Sequence, residues 1–342
     1  MVLSDRECMV LYGLVRWPGF SDLELGDRLG LGRSTVTVIR KRLQDKGLYR
    51  GFYVPDFRRV GCELLTILYG EFAGTAKGGV DVLKESIRDG VSTVFYMVNS
   101  GGQHLSLGAA GSLTHVREHI INHHRIHHES GYLTDKRHNY VFFPLKLTQI
   151  PRFFDYAPLL ADHFNLEHER DDCEFKVEDG GWRPSGRELN TMRSLVDHPD
   201  TTDERVAAHA GVSRQTVNTL RNRFLDRGLL KPVRIPDVRK LGFGLLSFTH
   251  LHMSPHVSVE ERKPHTRRML EDPSHVLKVS GDLESILLSV HRDYTGYRDS
   301  HGRTMKAYKG GRLLSGEPVT HLYPLDRTDH IIEHSYGNIV AG

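Results

Sequence analysis

The segment HVREHIINHHRIHH (115–128) holds the densest chemistry in the chain. On a helix, His115, His119, His123 and His127 recur every four residues and share one face. His124 and His128 form another such pair. Neutral imidazoles at this spacing can chelate zinc or nickel, and they titrate near neutral pH. Glu118 is nearby, but no Cys or carboxylate completes a ligand set at evident spacing. The matching region of the second half carries Tyr294, Tyr297, His301 and Met305 instead. A polar helix face with Val116 and Ile120 turned inward explains the same residues without a metal.

A second pattern is repeated. Shifting the chain by 181 residues aligns residues 4–68 with 185–249 without a gap. GRSTVTVIRKRLQDKGL (32–48) falls on SRQTVNTLRNRFLDRGL (213–229), and VPDFRRVGCELL (54–65) on IPDVRKLGFGLL (235–246). Arg33/Arg214, Thr35/Thr216, Arg40/Arg221 and Arg42/Arg223 are identical pairs. The chain therefore reads as a tandem duplication. Val36, Ile39 and Leu43 recur at helical spacing and face a core. Arg33, Ser34, Thr35, Thr37, Arg40 and Lys41 then point outward. In the second repeat the outward set is Arg214, Gln215, Thr216, Asn218, Arg221 and Asn222. Donors on the exposed N-terminal half of a helix suit base edges in a major groove, with Arg and Lys on phosphates.

The elements that would position these residues follow from local signals. Ser4 with Glu7 has capping-box spacing and opens a helix through Val15. Ser21 caps a short second helix, which Gly30 ends. The third helix is expected over 33–46 and in the second repeat over 214–227. Leu48–Val54 reads as strand, turn and strand around Gly51, a wing that offers Arg50. The second wing offers Lys231 and Arg234. After each winged helix-turn-helix the pattern becomes βαββαβ, a ferredoxin-like arrangement. In the first repeat these elements are Leu64–Phe72, Val80–Arg88, Thr93–Asn99, His104–Ala109, Ser112–Glu129 and His138–Leu147. The second repeats the order from Leu245 to Leu325. The expected fold is thus α+β, with winged helix-turn-helix domains at 1–62 and 183–243. Ferredoxin-like domains follow at 63–150 and 244–342, and an acidic linker spans 151–182.

Bulk composition agrees with a globular protein. The net charge of +3 is unevenly placed. Residues 1–60 hold 11 Lys/Arg against 7 Asp/Glu, and 183–242 hold 12 against 7, whereas 151–182 hold 3 against 9. Basic charge on both winged helices favours nucleic acid. No stretch approaches the roughly 20 apolar residues of a membrane span. Three scattered cysteines suggest neither a disulfide framework nor a Cys-based metal site. A cytoplasmic protein is expected.

This combination resembles the Lrp/AsnC (feast/famine) regulators: a winged helix-turn-helix, a strand entered through GLYRGFYVPDFRRVG, then βαββαβ. The resemblance implies a transcription regulator of double-stranded DNA whose second domain dimerises and binds a small effector, often an amino acid. By position it nominates Ser100, Gly101 and Gly102, and in VSGDLESILLSV (279–290) Ser280, Gly281 and Asp282. The first repeat lacks the acidic residue after its first glycine. The fusion departs from the usual single-unit plan and implies a one-chain pseudo-dimer or a homo-oligomer. No phosphate loop, nucleophile elbow or metalloprotease motif is present, so the expectation is a regulator and not an enzyme. Two alternatives stand beside it. One is a regulator responsive to metal at the His-rich helix. The other is a tetrapyrrole enzyme, because siroheme decarboxylases resemble the same two-domain plan and act through His and Arg. Their characteristic segment is expected in the hairpin between the second and third strands, whereas the similar HNYVFFPL (138–145) sits on the last strand.

Overall fold

The computed structural model describes residues 3–71, 94–129, 131, 138–168, 175, 182, 184–199 and 201–340. The expected helix over Val80–Arg88, Cys173 and Gly180–Gly181 lie outside the described residues, and so does the side chain of His127. In chain order the first half forms α1 (Asp5–Arg16), α2 (Asp22–Leu29), α3 (Arg33–Asp45), β1 (Tyr49–Pro55), β2 (Leu64–Glu71), β3 (Val94–Ser100), β4 (Gln103–Ala110), α4 (Leu113–Glu129) and β5 (Asn139–Pro144). A connecting segment forms β6 (Gln149–Arg152) and α5 (Ala157–Phe164). The second half forms α6 (Gly186–Asp197), α7 (Asp203–Ala210), α8 (Arg214–Asp226), β7 (Leu230–Pro236), β8 (Leu245–His252), α9 (Val259–Met269), β9 (His275–Ser280), β10 (Glu284–His291), α10 (Tyr294–Gly310) and β11 (Val319–Pro324). A tail adds β12 (Asp329–Glu333) and α11 (Gly337–Val340).

The helix signals work as written. Ser4 and Glu7 cap α1 reciprocally, Ser21 and Glu24 cap α2, and Ser185 and Glu188 cap α6. Each such box satisfies amide donors that a helix start leaves free. Gly30 and Gly211 end α2 and α7 in the left-handed region, at φ 66° and 67°, which glycine adopts without steric cost. Val36, Ile39 and Leu43 of α3 are buried, as are Val217, Leu220 and Phe224 of α8.

The wing departs from expectation. Residues 49–55 form one unbroken strand, with no turn at Gly51. Gly51 is not among the positive-φ glycines, so the chain runs straight through it. Its hydrogen-bonding partner is β7 rather than a returning hairpin arm. At one end the Asp237 amide donates to Leu48 O at 2.9 Å, and at the other the Asp56 amide donates to Leu229 O at 2.9 Å.

The chain divides into two compact units that are not consecutive in sequence. Unit one comprises residues 1–51, 148–176 and 232–326, and unit two comprises 52–147, 177–231 and 327–342. Each unit thus joins three helices from one half of the chain to the sheet of the other half. The sheet of unit one runs β11-β8-β10-β9-β6, and that of unit two β12-β3-β4-β2-β5. In both, the four strands of one half take the same antiparallel order, and a fifth strand covers an edge.

The fifth strands correct two expected boundaries. Residues 151–182 were expected as a linker, yet they include the end of β6, which pairs with β9, and α5. The cause is an apolar run, since Ile150, Phe153, Phe154, Tyr156, Leu159 and Leu160 are buried. Burial of that much apolar surface outweighs the acidic charge clustered after it. Residues 327–342 were expected with the second sheet, but β12 pairs with β3 of unit two. There Tyr336 stacks on Phe95 at 5.1 Å, and Phe95 stacks on Phe57 at 5.6 Å. In unit one the core under the helices is Leu251, Met253, Met269, Leu287, Tyr308 and Leu313.

Candidate functional site

In unit two, strand alternation gathers polar side chains on the sheet face that α4 covers. Gly70 pairs with His104, and Leu68 with both Ser106 and Tyr140. Directly paired residues share a face, so His104, Ser106 and Tyr140 stand together, with His138 two residues before Tyr140. Gly70 is needed for this. A Cβ there would come within 2.9 Å of the His138 ring and 3.2 Å of its Cα.

Helix α4 brings its own imidazoles onto this face. The His123 ring lies 6.3 Å from His104, 6.2 Å from His119 and 5.9 Å from His138, centroid to centroid. His124 lies 5.8 Å from His138, and its Nε2 is 2.7 Å from the Tyr140 hydroxyl. His104 and His123 are buried. Burial holds the His119 imidazole below its ordinary pKa. His138 is lowered for the same reason, with the neighbouring His124 adding to the effect. Burial also raises the Tyr140 phenol. A desolvated imidazole favours its neutral form, which is the form that binds a metal.

The layer revises the expected His115, His119, His123 and His127 set. His119 and His123 take part, but His115 is exposed and its amide is bonded to Ser112 Oγ at 3.2 Å. His104, His124, His138 and Tyr140 join instead. The i, i+4 pattern reveals His124 as part of its second pair, but not His104, His138 and Tyr140, which lie on or beside strands. The alternation of His138 with Tyr140 was the available signal. It places the HNYVFFPL segment beside the His-rich helix rather than remote from chemistry.

The equivalent layer of unit one is polar too, but closed. His275 Nδ1 is 2.8 Å from Ser289 Oγ, and its Nε2 is 3.1 Å from Thr304 Oγ1. His291 Nε2 meets Ser247 Oγ at 3.1 Å. Only about 10 Å³ of open space remains among these side chains, room for one water at most. Burial lowers His275 to about 3 and His291 to about 4. Fully buried Lys278 donates to Ser285 Oγ and sits 5.2 Å from the Tyr308 ring. Burial brings its pKa down to about 7, with the Arg262 charge adding to the shift.

Unit one also has an open cleft of about 650 Å³. Arg16, Arg152, Lys263 and Arg267 line it, but so do Asp155, Asp162 and Glu271. Arg152 is committed to His275 O at 2.6 Å and Leu270 O at 3.0 Å. Offsetting charges make this cleft a weaker site for a polyanion than its volume suggests.

The remaining expected site residues are placed as follows. Ser100, Gly101 and Gly102 form the β3–β4 turn, and Ser100 Oγ donates to Arg327 O at 3.4 Å. Ser280 Oγ lies 3.0 Å from Ser285 Oγ, the Gly281 amide donates to Glu284 O at 2.8 Å, and Asp282 O accepts from Arg262 at 2.7 Å. Both are tight hairpin turns. On α3 and α8, Arg33, Ser34, Lys41, Gln215, Asn218 and Asn222 are exposed, with Thr35 and Thr216 half-buried. Of the arginines shared by the two halves, Arg40, Arg42, Arg214, Arg221 and Arg223 are engaged within their own helical domains. Arg40 Nε is 2.8 Å from Asp22, whose other oxygen accepts from Thr37 at 2.6 Å. Arg221 pairs with Asp203 in the same way. Arg42 reaches capping Glu7 at 3.4 Å, Arg223 reaches capping Glu188 at 3.0 Å, and Arg214 reaches Glu204 at 3.0 Å. Arg50 is exposed, Lys231 half-buried, and Arg234 donates to Leu14 O at 3.4 Å.

Among the described residues no helix is long and apolar enough to cross a membrane. No protein-family model and no curated protein matches the sequence. Solved structures do match the fold. The siroheme decarboxylase NirDL superposes with a TM-score of 0.54 at 9% identity, covering 99% of this chain and 96% of that one. NirDL in co-complex with an iron-uroporphyrin III analogue gives 0.53. An AsnC family transcriptional regulator from Agrobacterium tumefaciens covers 40% of this chain and 87% of its own, at 18% identity and a TM-score of 0.33. LrpC of B. subtilis gives 0.32 at 18% identity, over 42% and 95%. The expectation that this chain is no enzyme is corrected by this finding, because an enzyme, NirDL, shares the fold over 99% of the chain.

Proposed function

We propose that the chain is a decarboxylase of carboxylate-bearing iron tetrapyrroles of the siroheme type. The observation that carries this reading is the end-to-end match of both halves to a siroheme decarboxylase. The histidine layer of unit two supplies suitable chemistry. Iron in a tetrapyrrole already has four nitrogen ligands and needs only an axial group. A set of neutral imidazoles some 6 Å apart by ring centroid therefore fits it better than a compact chelate would. Decarboxylation of an acetate arm breaks the methylene–carboxylate bond, releases CO2 and leaves a carbon that takes up one proton. No oxidant is needed. The His124–Tyr140 hydrogen bond gives this face an exchangeable proton next to the ring cluster. Proton delivery of this kind contributes roughly 100- to 10,000-fold to a rate.

The test is direct. Iron-uroporphyrin III titrated into the purified protein should shift its Soret band, and siroheme incubated anaerobically should lose the mass of CO2. A His119→Ala, His123→Ala double variant should show neither change. An unaltered Soret band together with unchanged siroheme would overturn the reading. The exposed polar faces of α3 and α8 keep DNA regulation as the second reading, which a sequence-specific gel shift with genomic fragments would support.

A further inference from the structure

We infer that His250, His252 and Glu284 of unit one form a binding site for one divalent transition-metal ion of the zinc type. This site is separate from the histidine layer of unit two and does not depend on the proposed activity. Among the described residues, these three are the group whose donor atoms all lie within 4.8 Å of one another.

The backbone explains the grouping. His252 pairs directly with Glu284 across the β8–β10 ladder, and His250 follows two residues back on the same face. It is the sheet face opposite Ser247 and Thr249, hence opposite the closed His275 layer. The two imidazole rings are 4.5 Å apart. His250 Nε2 and Glu284 Oε2 are 3.4 Å apart. Two donors held about 2.0–2.2 Å from one tetrahedral ion are separated by roughly that distance. The His250 side chain is 4% exposed and that of Glu284 37%, so the site is anchored on one side and open on the other. Two histidines and one glutamate leave a fourth position for water or an anionic ligand, as in open zinc sites.

The same ladder in unit two serves as an internal comparison. There Glu71 pairs with Gln103, and Tyr69 occupies the position of His250. The full set of three ligand-type residues therefore occurs in one half, whereas the other keeps only Glu71 beside Tyr69 and Gln103. That is the pattern of a site rather than of a feature required by the sheet.

Cobalt(II) is the probe, because its four-coordinate complexes absorb strongly in the visible. The full chain carrying His119→Ala and His123→Ala, which weakens the other imidazole cluster, should bind one equivalent with such bands, and zinc should displace it. Adding His252→Ala or Glu284→Gln should weaken binding by more than the roughly 10- to 100-fold typical of losing an outer partner. Zinc should raise the melting temperature of the parent and not of these variants, since only a native-state ligand stabilises. Both substitutions are on partly exposed side chains, so an unchanged metal-free melt would confirm the fold. Undiminished cobalt binding in the variants would overturn the inference. So would the absence of four-coordinate bands in the parent, which would leave His250 and Glu284 as an ion pair alone.

Discussion

The two sheet–helix layers have the same strand order and different interiors. In unit one, His275, His291 and Lys278 have hydroxyl partners close at hand, and almost no free space remains beside the two histidines. In unit two, His104, His119, His123, His124 and His138 meet mainly each other, ring against ring. A buried polar group satisfied by fixed neighbours serves to specify packing. In the imidazole cluster, burial holds His119 and His138 below their ordinary pKa, which favours the neutral form of those two rings. One framework thus holds imidazoles fixed by hydroxyl groups in one unit and imidazoles packed ring against ring in the other.

The largest expected effect lies in unit two. His119→Ala with His123→Ala should lower siroheme decarboxylation per folded molecule by about 100-fold or more. Loss of stability without a change in turnover per folded molecule would erase the contrast, making both layers structural.

In unit one the expected readout is stability against pH. His275 has a folded pKa of about 3 and His291 of about 4, both below the ordinary 6.5. Between those values the unfolded chain binds protons that the folded chain refuses. Stability should therefore fall as pH drops from about 6.5 towards 3, by on the order of several kcal/mol. Urea unfolding at stepped pH would measure this, and His275→Gln should flatten the slope. An unchanged slope in that variant would remove His275 from the account.

Lys278 acts in a different window. Its folded pKa of about 7 lies below the ordinary 10.5, so the unfolded chain holds the extra proton between these values. Stability should rise across that range by on the order of a few kcal/mol. Lys278→Met should abolish the rise, and a variant that kept it would assign the slope to another group. At neutral pH the replacement should stay within about 1 kcal/mol of the parent, because apolar groups of similar volume often replace buried charges at no cost.

These contrasts were only partly legible in the sequence. Helix limits were, because Ser4, Ser21 and Ser185 announce themselves three residues before a glutamate. The halves of the histidine layer were separately visible as HVREHIINHHRIHH and HNYVFFPL. Their meeting was not, since it depends on which strand lies beside β2. Nor could local signals show that β6 pairs with β9 and β12 with β3. An edge strand of four or five residues has no periodicity long enough to read, and its partner is more than a hundred residues away.

The arginines shared by α3 and α8 carry the smallest expected effect and the sharpest lesson about reading repeats. Arg40 and Arg221 looked like phosphate contacts because both halves keep them. Each also holds an aspartate in the first turn of the preceding helix, Asp22 and Asp203. Both arginine side chains are largely covered, at 24% and 20% exposure. A pair so placed contributes about 1 kcal/mol at most. Arg40→Ala and Arg221→Ala should thus each lower stability by about 1 kcal/mol and leave decarboxylation intact in the folded fraction. Exposed Arg33 and Lys41 provide the control. If Arg33→Ala and Lys41→Ala abolished a sequence-specific gel shift while siroheme remained untouched, the helices would be reading DNA. The repeated arginines would then be the scaffold of that surface rather than its contacts.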